Sequence, residues 1–236
     1  MNVLIACEES QTVCKAFREL GHRAFSCDLQ ESSGGHPEWH VNGDCLPLIN
    51  GNCEFVTEDG VRHRQDGRWD LLIAHPPCTY MSKAGARWMY LKAGEIKKER
   101  LKLALEAKEF FMKFINADSE YIAVENPVPL KVVELPPPDC VVQPYEFGEP
   151  FSKKTCLWLK NLPPLMPTEI RADYVPYLPS NTGGEKRGQK HSRGIAKNAK
   201  ESSKTFEGIA KAMAEQWSKY INNETIHNNR ADCQAD

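Results

Sequence analysis

Four segments of this chain place polar or reactive side chains directly after short apolar runs: Glu8-Glu9-Ser10, Asp28, His75-Pro76-Pro77-Cys78 and Glu125-Asn126-Pro127. Cys78 is a candidate nucleophile, because a thiol held by a rigid Pro-Pro turn can be aimed at a substrate once it loses its proton. His75 and Lys83 are candidates for raising its acidity. Glu125 is a candidate acid that could hydrogen-bond the ring nitrogen of a heterocycle and hold or donate a proton there. Asp28, twenty residues beyond Glu8, can accept from both hydroxyls of a ribose, and Asp44 in Gly43-Asp44-Cys45 can accept from an adenine amino group. The plainer alternatives are turn carboxylates for the acids and a buried, inert thiol for Cys78. The inert role is the reading for Cys7, Cys14, Cys27, Cys45, Cys53, Cys140 and Cys156.

The first of these segments also says what the ligand is not. It lacks the glycines of a dinucleotide loop, and Glu8-Glu9 would repel a pyrophosphate. A cationic sulfonium without phosphate, as in S-adenosylmethionine, suits an acidic turn better. His75-x-x-Cys78 has no second pair at matching spacing, so no metal site is expected.

The elements that must position these residues read as alternating strands and helices. Val3 to Cys7 is an apolar run fit for a buried strand. Val13, Ala16, Phe17 and Leu20 fall on one helical face, with Ser10 placed to cap the helix and Gly21 to end it. Arg23 to Cys27 reads as the next strand, ending at Asp28. Strand, helix, strand with short turns is a βαβ unit, which implies a parallel sheet. Cys53 to Thr57 and Val61 to Arg64 flank Glu58-Asp59-Gly60, whose Asp-Gly signals a hairpin inserted at 51–69. Asp70 to Ala74 is a further strand stopped by the two prolines. A long helix follows from about Glu95 to Ile115, with Leu101, Ala104, Leu105, Met112 and Ile115 inward. Tyr121 to Val124 is the strand that ends at Glu125.

Twelve of the 16 prolines lie between Pro127 and Pro179, too many for more βαβ units. Val141-Val142 and Thr155 to Leu159 can still make a late antiparallel hairpin. The stretch 183–204 holds seven Lys and Arg residues, and Ile209, Ala212, Met213, Trp217 and Tyr220 mark a closing amphipathic helix capped by Thr205. The expected organisation is one domain over 1–220, with residues 221–236 as a disordered tail. With 236 residues, 41% hydrophobic, the chain can bury one sizeable core. No apolar run reaches the length of a bilayer span, and the N-terminus turns acidic too early for a signal peptide. Nine cysteines without a CxxC pair point to a reducing cytoplasm. The net charge of -2 leaves any nucleic-acid partner to a local patch.

In these residues the chain resembles the cytosine carbon-5 DNA methyltransferases, especially their short, divergent phage members, over most of residues 1–220 in motif order. Leu4 to Ser10 occupies the place of the cofactor loop, so the resemblance puts Cys7, Glu8, Glu9, Ser10, Asp28, Asp44 and Pro76 at S-adenosylmethionine. Pro77-Cys78 looks like the family's Pro-Cys nucleophile, Glu125-Asn126 like its Glu-Asn pair, and Thr205 to Trp217 like the last helix returning to the cofactor. It implies a Rossmann-like S-adenosylmethionine-dependent methyltransferase fold, an α/β architecture with a mostly parallel sheet, helices on both faces and the late antiparallel hairpin. It also implies DNA as partner, single-stranded or with the target base flipped out. Ser82, Lys153, Lys154, Lys186, Arg187, Lys190 and Arg193 are the residues expected to contact it, the basic ones through phosphates. The chain departs from the family in its first loop, in Thr79 after the nucleophile and in Pro127 after Glu-Asn. Only the reduced segment 162–204 stands where larger members carry a target-recognition domain. Two other readings stay open. An amino-directed DNA methyltransferase would share the paired prolines, although here neither a carboxylate nor an amide precedes them and no aromatic follows directly. A catalytically silent relative would keep only binding.

Overall fold

Val3 and Ile5 point to one face of the first strand and Leu4 and Ala6 to the other, and all four are fully buried. A strand apolar on both sides belongs inside a parallel sheet covered by helices on both faces. That is the arrangement found in the computed structural model, which describes residues 1–91, 94–177, 201 and 203–232. β1 (Asn2–Ala6) pairs in parallel with β2 (Arg23–Asp28), and β2 with β3 (His40–Asn42). β4 (Cys53–Val56) and β5 (Arg62–Gln65) form a separate antiparallel hairpin that turns at Asp59-Gly60, where Gly60 has φ +83°. On the other side of β1 lie β6 (Leu71–Ala74) and then β7 (Tyr121–Pro127), again parallel. β8 (Cys140–Val142) and β10 (Thr155–Lys160) complete the sheet, with β10 antiparallel to both β7 and β8. The order β3-β2-β1-β6-β7-β10-β8 is the expected Rossmann-like fold with its late antiparallel hairpin. β9 (Phe151–Ser152) and β11 (Val175–Pro176) make a short parallel pair apart from it.

Helix α1 (Thr12–Glu19) and the closing helix α4 (Glu207–Asp232) cover one face, packing Val13, Cys14, Phe17, Met213 and Trp217 onto the sheet. The short α2 (Ala86–Met89) and the long α3 (Lys98–Ile115) lie over the other, where Phe111 meets Trp158 edge-on at 4.9 Å. Parallel strands leave all their carboxyl ends on one edge, so the positions following β1, β2, β3, β6 and β7 share it.

Several sequence expectations need correction. Leu20, expected inward, is 45% exposed because α1 stops one residue earlier. There the Gly21 amide donates to the Arg18 carbonyl and the His22 amide to Phe17, with Gly21 at φ +80°. Leu105 is also outward. The buried face of α3 is Ala104, Phe111 and Phe114, because the apolar residues of this helix wrap around more than half of it and only packing selects among them. The expected disordered tail is helical as far as Asp232, as α4 continues past Tyr220. Residues 163–166 dock on α4. Trp217 donates its ring N–H to the Pro163 carbonyl, and the Gln216 side chain bonds both backbone groups of Met166.

Candidate active site

The register of β6 against β7 builds the centre of the site. Ala74 pairs with Val124, so the next residue on each strand, His75 and Glu125, also stand side by side. Nδ1 of His75 lies 3.2 Å from Oε2 of Glu125, with the two side chains 10% and 14% exposed. Burial opposes charging the His75 ring, but the hydrogen bond to Glu125 and the charges of Glu125 and Glu8 outweigh it and lift the imidazole above its ordinary 6.5.

Beyond His75 the chain cannot continue the ladder, since Pro76 and Pro77 have no N–H. It turns instead, and the Cys78 carbonyl accepts from the amides of Met81 and Ser82 at 3.1 and 3.0 Å. Three bonds then tie this loop to the end of β7 and the segment after it. Asn126 donates its side-chain amide to the Pro76 carbonyl at 2.9 Å, Lys83 its amide to Val128 at 3.0 Å, and Leu130 its amide to Met81 at 2.7 Å. These clamps bring half-buried Cys78 within electrostatic reach of Glu125. Burial and the Glu125 charge push the thiol above its ordinary 9.0, while Lys153 and a hydrogen bond from Ser82 pull the other way. Two buried polar atoms of this cluster, His75 Nε2 and Asn126 Oδ1, have no hydrogen-bond partner among the described residues. Unsatisfied buried atoms of this kind are costly and mark a place where a ligand or water completes the network.

The acidic loop lies one strand away. Cys7 and Gln11 both adopt left-handed backbone, at φ +59° and +57°, so the turn after β1 is built without glycine. Glu8 is 4% exposed, and its two oxygens accept the first amides of α1, Val13 at 2.6 Å and Cys14 at 3.2 Å. Glu8 therefore caps the helix, the role expected of Ser10. The Ser10 hydroxyl meets that of Thr12 at 3.1 Å. Burial pushes the Glu8 carboxyl above its ordinary 4.5 against the pull of His75 and of the two amides. Glu9 is also buried, and its carbonyl accepts from Ser33. The Cys7 sulfur lies 3.8 Å from that of Cys45, and this contact together with burial raises its thiol far above the usual range. Its side chain thus packs against the core beside Cys45. Asp28 ends β2 and Asp44 follows β3 on the same edge. Each uses Oδ1 to hold its own turn, on the amides of Gln30 and Leu46, both at 2.9 Å.

Among the residues expected on nucleic acid, Ser82 is 3% exposed and its amide donates to the Cys78 carbonyl, so it braces the Cys78 loop and offers little outer surface. Its position follows from the bonds that fold the 78–83 loop under residues 128–130. Lys153, on the turn before β10, acts on both Cys78 and His75 and sits 5.7 Å from the Phe206 ring. Lys154 is exposed. Pro76 is buried and contributes its carbonyl to the clamp. Lys186, Arg187, Lys190 and Arg193 lie outside the described residues. Residues 203–206, leading into α4, face Glu125 and Lys153 across a narrow cleft. The pairing of His75 with Glu125 was missed from sequence, where His75 was assigned to the thiol. The missing signal was the β6–β7 register. Among the described residues no group of three His, Cys, Asp or Glu side chains is arranged to hold a metal, and no helix is long and apolar enough to cross a membrane.

No protein-family model and no curated protein matches the chain. Among solved structures it is similar to a prophage-encoded E. coli protein described as a DNA modification methyltransferase, at 15% identity over 72% of this chain and 52% of that one, with a TM-score of 0.42. It is also similar to a triple mutant of Spodoptera frugiperda DNMT2, at 14% identity over 75% of this chain and 55% of that one, with a TM-score of 0.34. The chain spans about half the length of each.

Proposed function

We propose that this chain is an S-adenosylmethionine-dependent methyltransferase acting on carbon-5 of cytosine in DNA, with Cys78 as nucleophile and Glu125 as the acid. The observation that carries the reading is the convergence of a half-buried thiol and a partly buried carboxyl on one sheet edge, held by the bond from Asn126 to Pro76. The adjoining edge fits the cofactor: Asp28 and Asp44 stand at the ends of neighbouring strands, and the turn between them and Cys78 is acidic, which favours a sulfonium over a phosphate. When bound, the cofactor supplies an electrophilic methyl group.

The chain's own residues then have distinct tasks. Cys78 passes its proton to solvent as the cytosine arrives, and the thiolate adds to carbon-6. Glu125 donates a hydrogen bond to N3 and accepts one from the exocyclic amine, so the electrons displaced from the 5,6 double bond collect in the ring. Carbon-5 takes the methyl group, and loss of its proton to a base restores the double bond and expels the Cys78 thiolate. The base must leave its stack to reach both groups, at a cost of a few kcal/mol that contacts from Lys153, Lys154 and the basic segment containing Lys186, Arg187, Lys190 and Arg193 would offset. Bisulfite sequencing of DNA from cells expressing the wild type or Cys78→Ala tests this reading. Protected cytosines are expected with the wild type alone, and identical unmodified patterns overturn it. DNA containing 5-fluorocytosine should trap the wild type covalently in the presence of cofactor and leave Cys78→Ala free.

A further inference from the structure

Resting on that reading, we infer that His75 is a positioning residue that holds one oxygen of Glu125 and so decides which oxygen carries the acid proton to the base. The argument is geometric. Register places the ring beside the carboxyl, 3.2 Å from Nδ1 to Oε2, and neither group has much access to water. The other ring nitrogen, Nε2, is buried with no partner among the described residues. A neutral ring with its hydrogen on Nε2 would leave that donor orphaned and turn the Nδ1 lone pair against a carboxyl oxygen. With the hydrogen on Nδ1 and donated to Oε2, the ring–carboxyl contact becomes a hydrogen bond and Nε2 is left as a buried acceptor, a smaller cost than an orphaned N–H donor.

Oε2 is then an acceptor in every turnover. A proton on the carboxyl has to sit on Oε1, while the second lone pair of Oε2 remains for an amine N–H. Cytosine presents an acceptor at N3 beside a donor at its amine, so one oxygen must donate and the other accept. An unanchored carboxyl would divide its time between this arrangement, its reverse and rotated forms. The anchor matters most once Cys78 adds and charge builds at N3, so its loss should fall on kcat.

The test compares kcat and KM for methyl transfer to a cytosine-containing duplex in the wild type, His75→Asn, His75→Gln and His75→Leu. An asparagine amide reaches the place of Nδ1, and a glutamine amide reaches the place of Nε2. His75→Asn should stay within about tenfold of wild-type kcat, whereas His75→Gln and His75→Leu should lose on the order of 100-fold with KM little changed. Thermal unfolding confirms which variants are folded. If the leucine variant is not, the asparagine and glutamine variants carry the test, as both are polar and near in size. Equal losses in those two, or wild-type kcat in His75→Leu, overturn the inference while leaving the parent reading intact. A wild type that transfers no methyl group to cytosine overturns both.

Discussion

Replacing Glu8 by alanine should destabilise the protein by about 2–4 kcal/mol. The side chain is 4% exposed and accepts from two amides at the start of α1, Val13 at 2.6 Å and Cys14 at 3.2 Å. Alanine leaves both donors buried and unpaired, at about 1–3 kcal/mol each. It also removes a negative charge from a helix N-terminus, about 0.3–1 kcal/mol. Against these losses, the variant no longer buries a carboxylate, a cost visible in the upward shift of Glu8. The net estimate is therefore well below the sum. The consequence extends beyond the cap, because α1 is only 8 residues long and carries Val13, Cys14 and Phe17 into the layer shared with α4. Urea unfolding at fixed pH measures the effect as a lower midpoint with an unchanged slope. Glu8→Gln retains one acceptor oxygen and should lose about half as much. A Glu8→Ala protein within about 0.5 kcal/mol of wild type would refute the capping argument. If that variant instead lost affinity for S-adenosylmethionine at full stability, Glu8 would be a cofactor ligand after all.

Two further substitutions test the packing and the site. A methyl group at Gly208 would lie 1.9 Å from the Phe147 carbonyl oxygen, so Gly208→Ala must displace the start of α4 and should cost about 1–3 kcal/mol in the same unfolding assay. Lys153 lowers the Cys78 thiol, so Lys153→Met should slow alkylation of Cys78 by iodoacetamide at any pH below the thiol's midpoint, read on the Cys78 peptide by mass spectrometry. In both proteins the rate should climb as pH passes 9, because only the thiolate reacts and burial holds the thiol above that value. An unchanged rate in the variant would remove Lys153 from the electrostatics of the site.

The one-dimensional pattern of this chain already contained its strands, its βαβ beginning, the Asp-Gly hairpin and the shared edge where Asp28, Cys78 and Glu125 end their runs. Those features are local: short continuous apolar runs, a proline that cannot donate, a glycine that accepts positive φ. Helix faces were less legible, since α3 is apolar around so much of its circumference that Leu105 and Phe111 compete for the inside. Roles that depend on a partner far along the chain were not legible at all. His75 meets Glu125, Asn126 meets Pro76 and Ser82 is folded under residues 128–130 only because β6 lies next to β7 in one register. Glu8 became a cap because the turn after β1 curls back over α1. Side-chain chemistry is written in the residues, but what each group can touch depends on strand order and register, which are settled by the burial of the whole core at once.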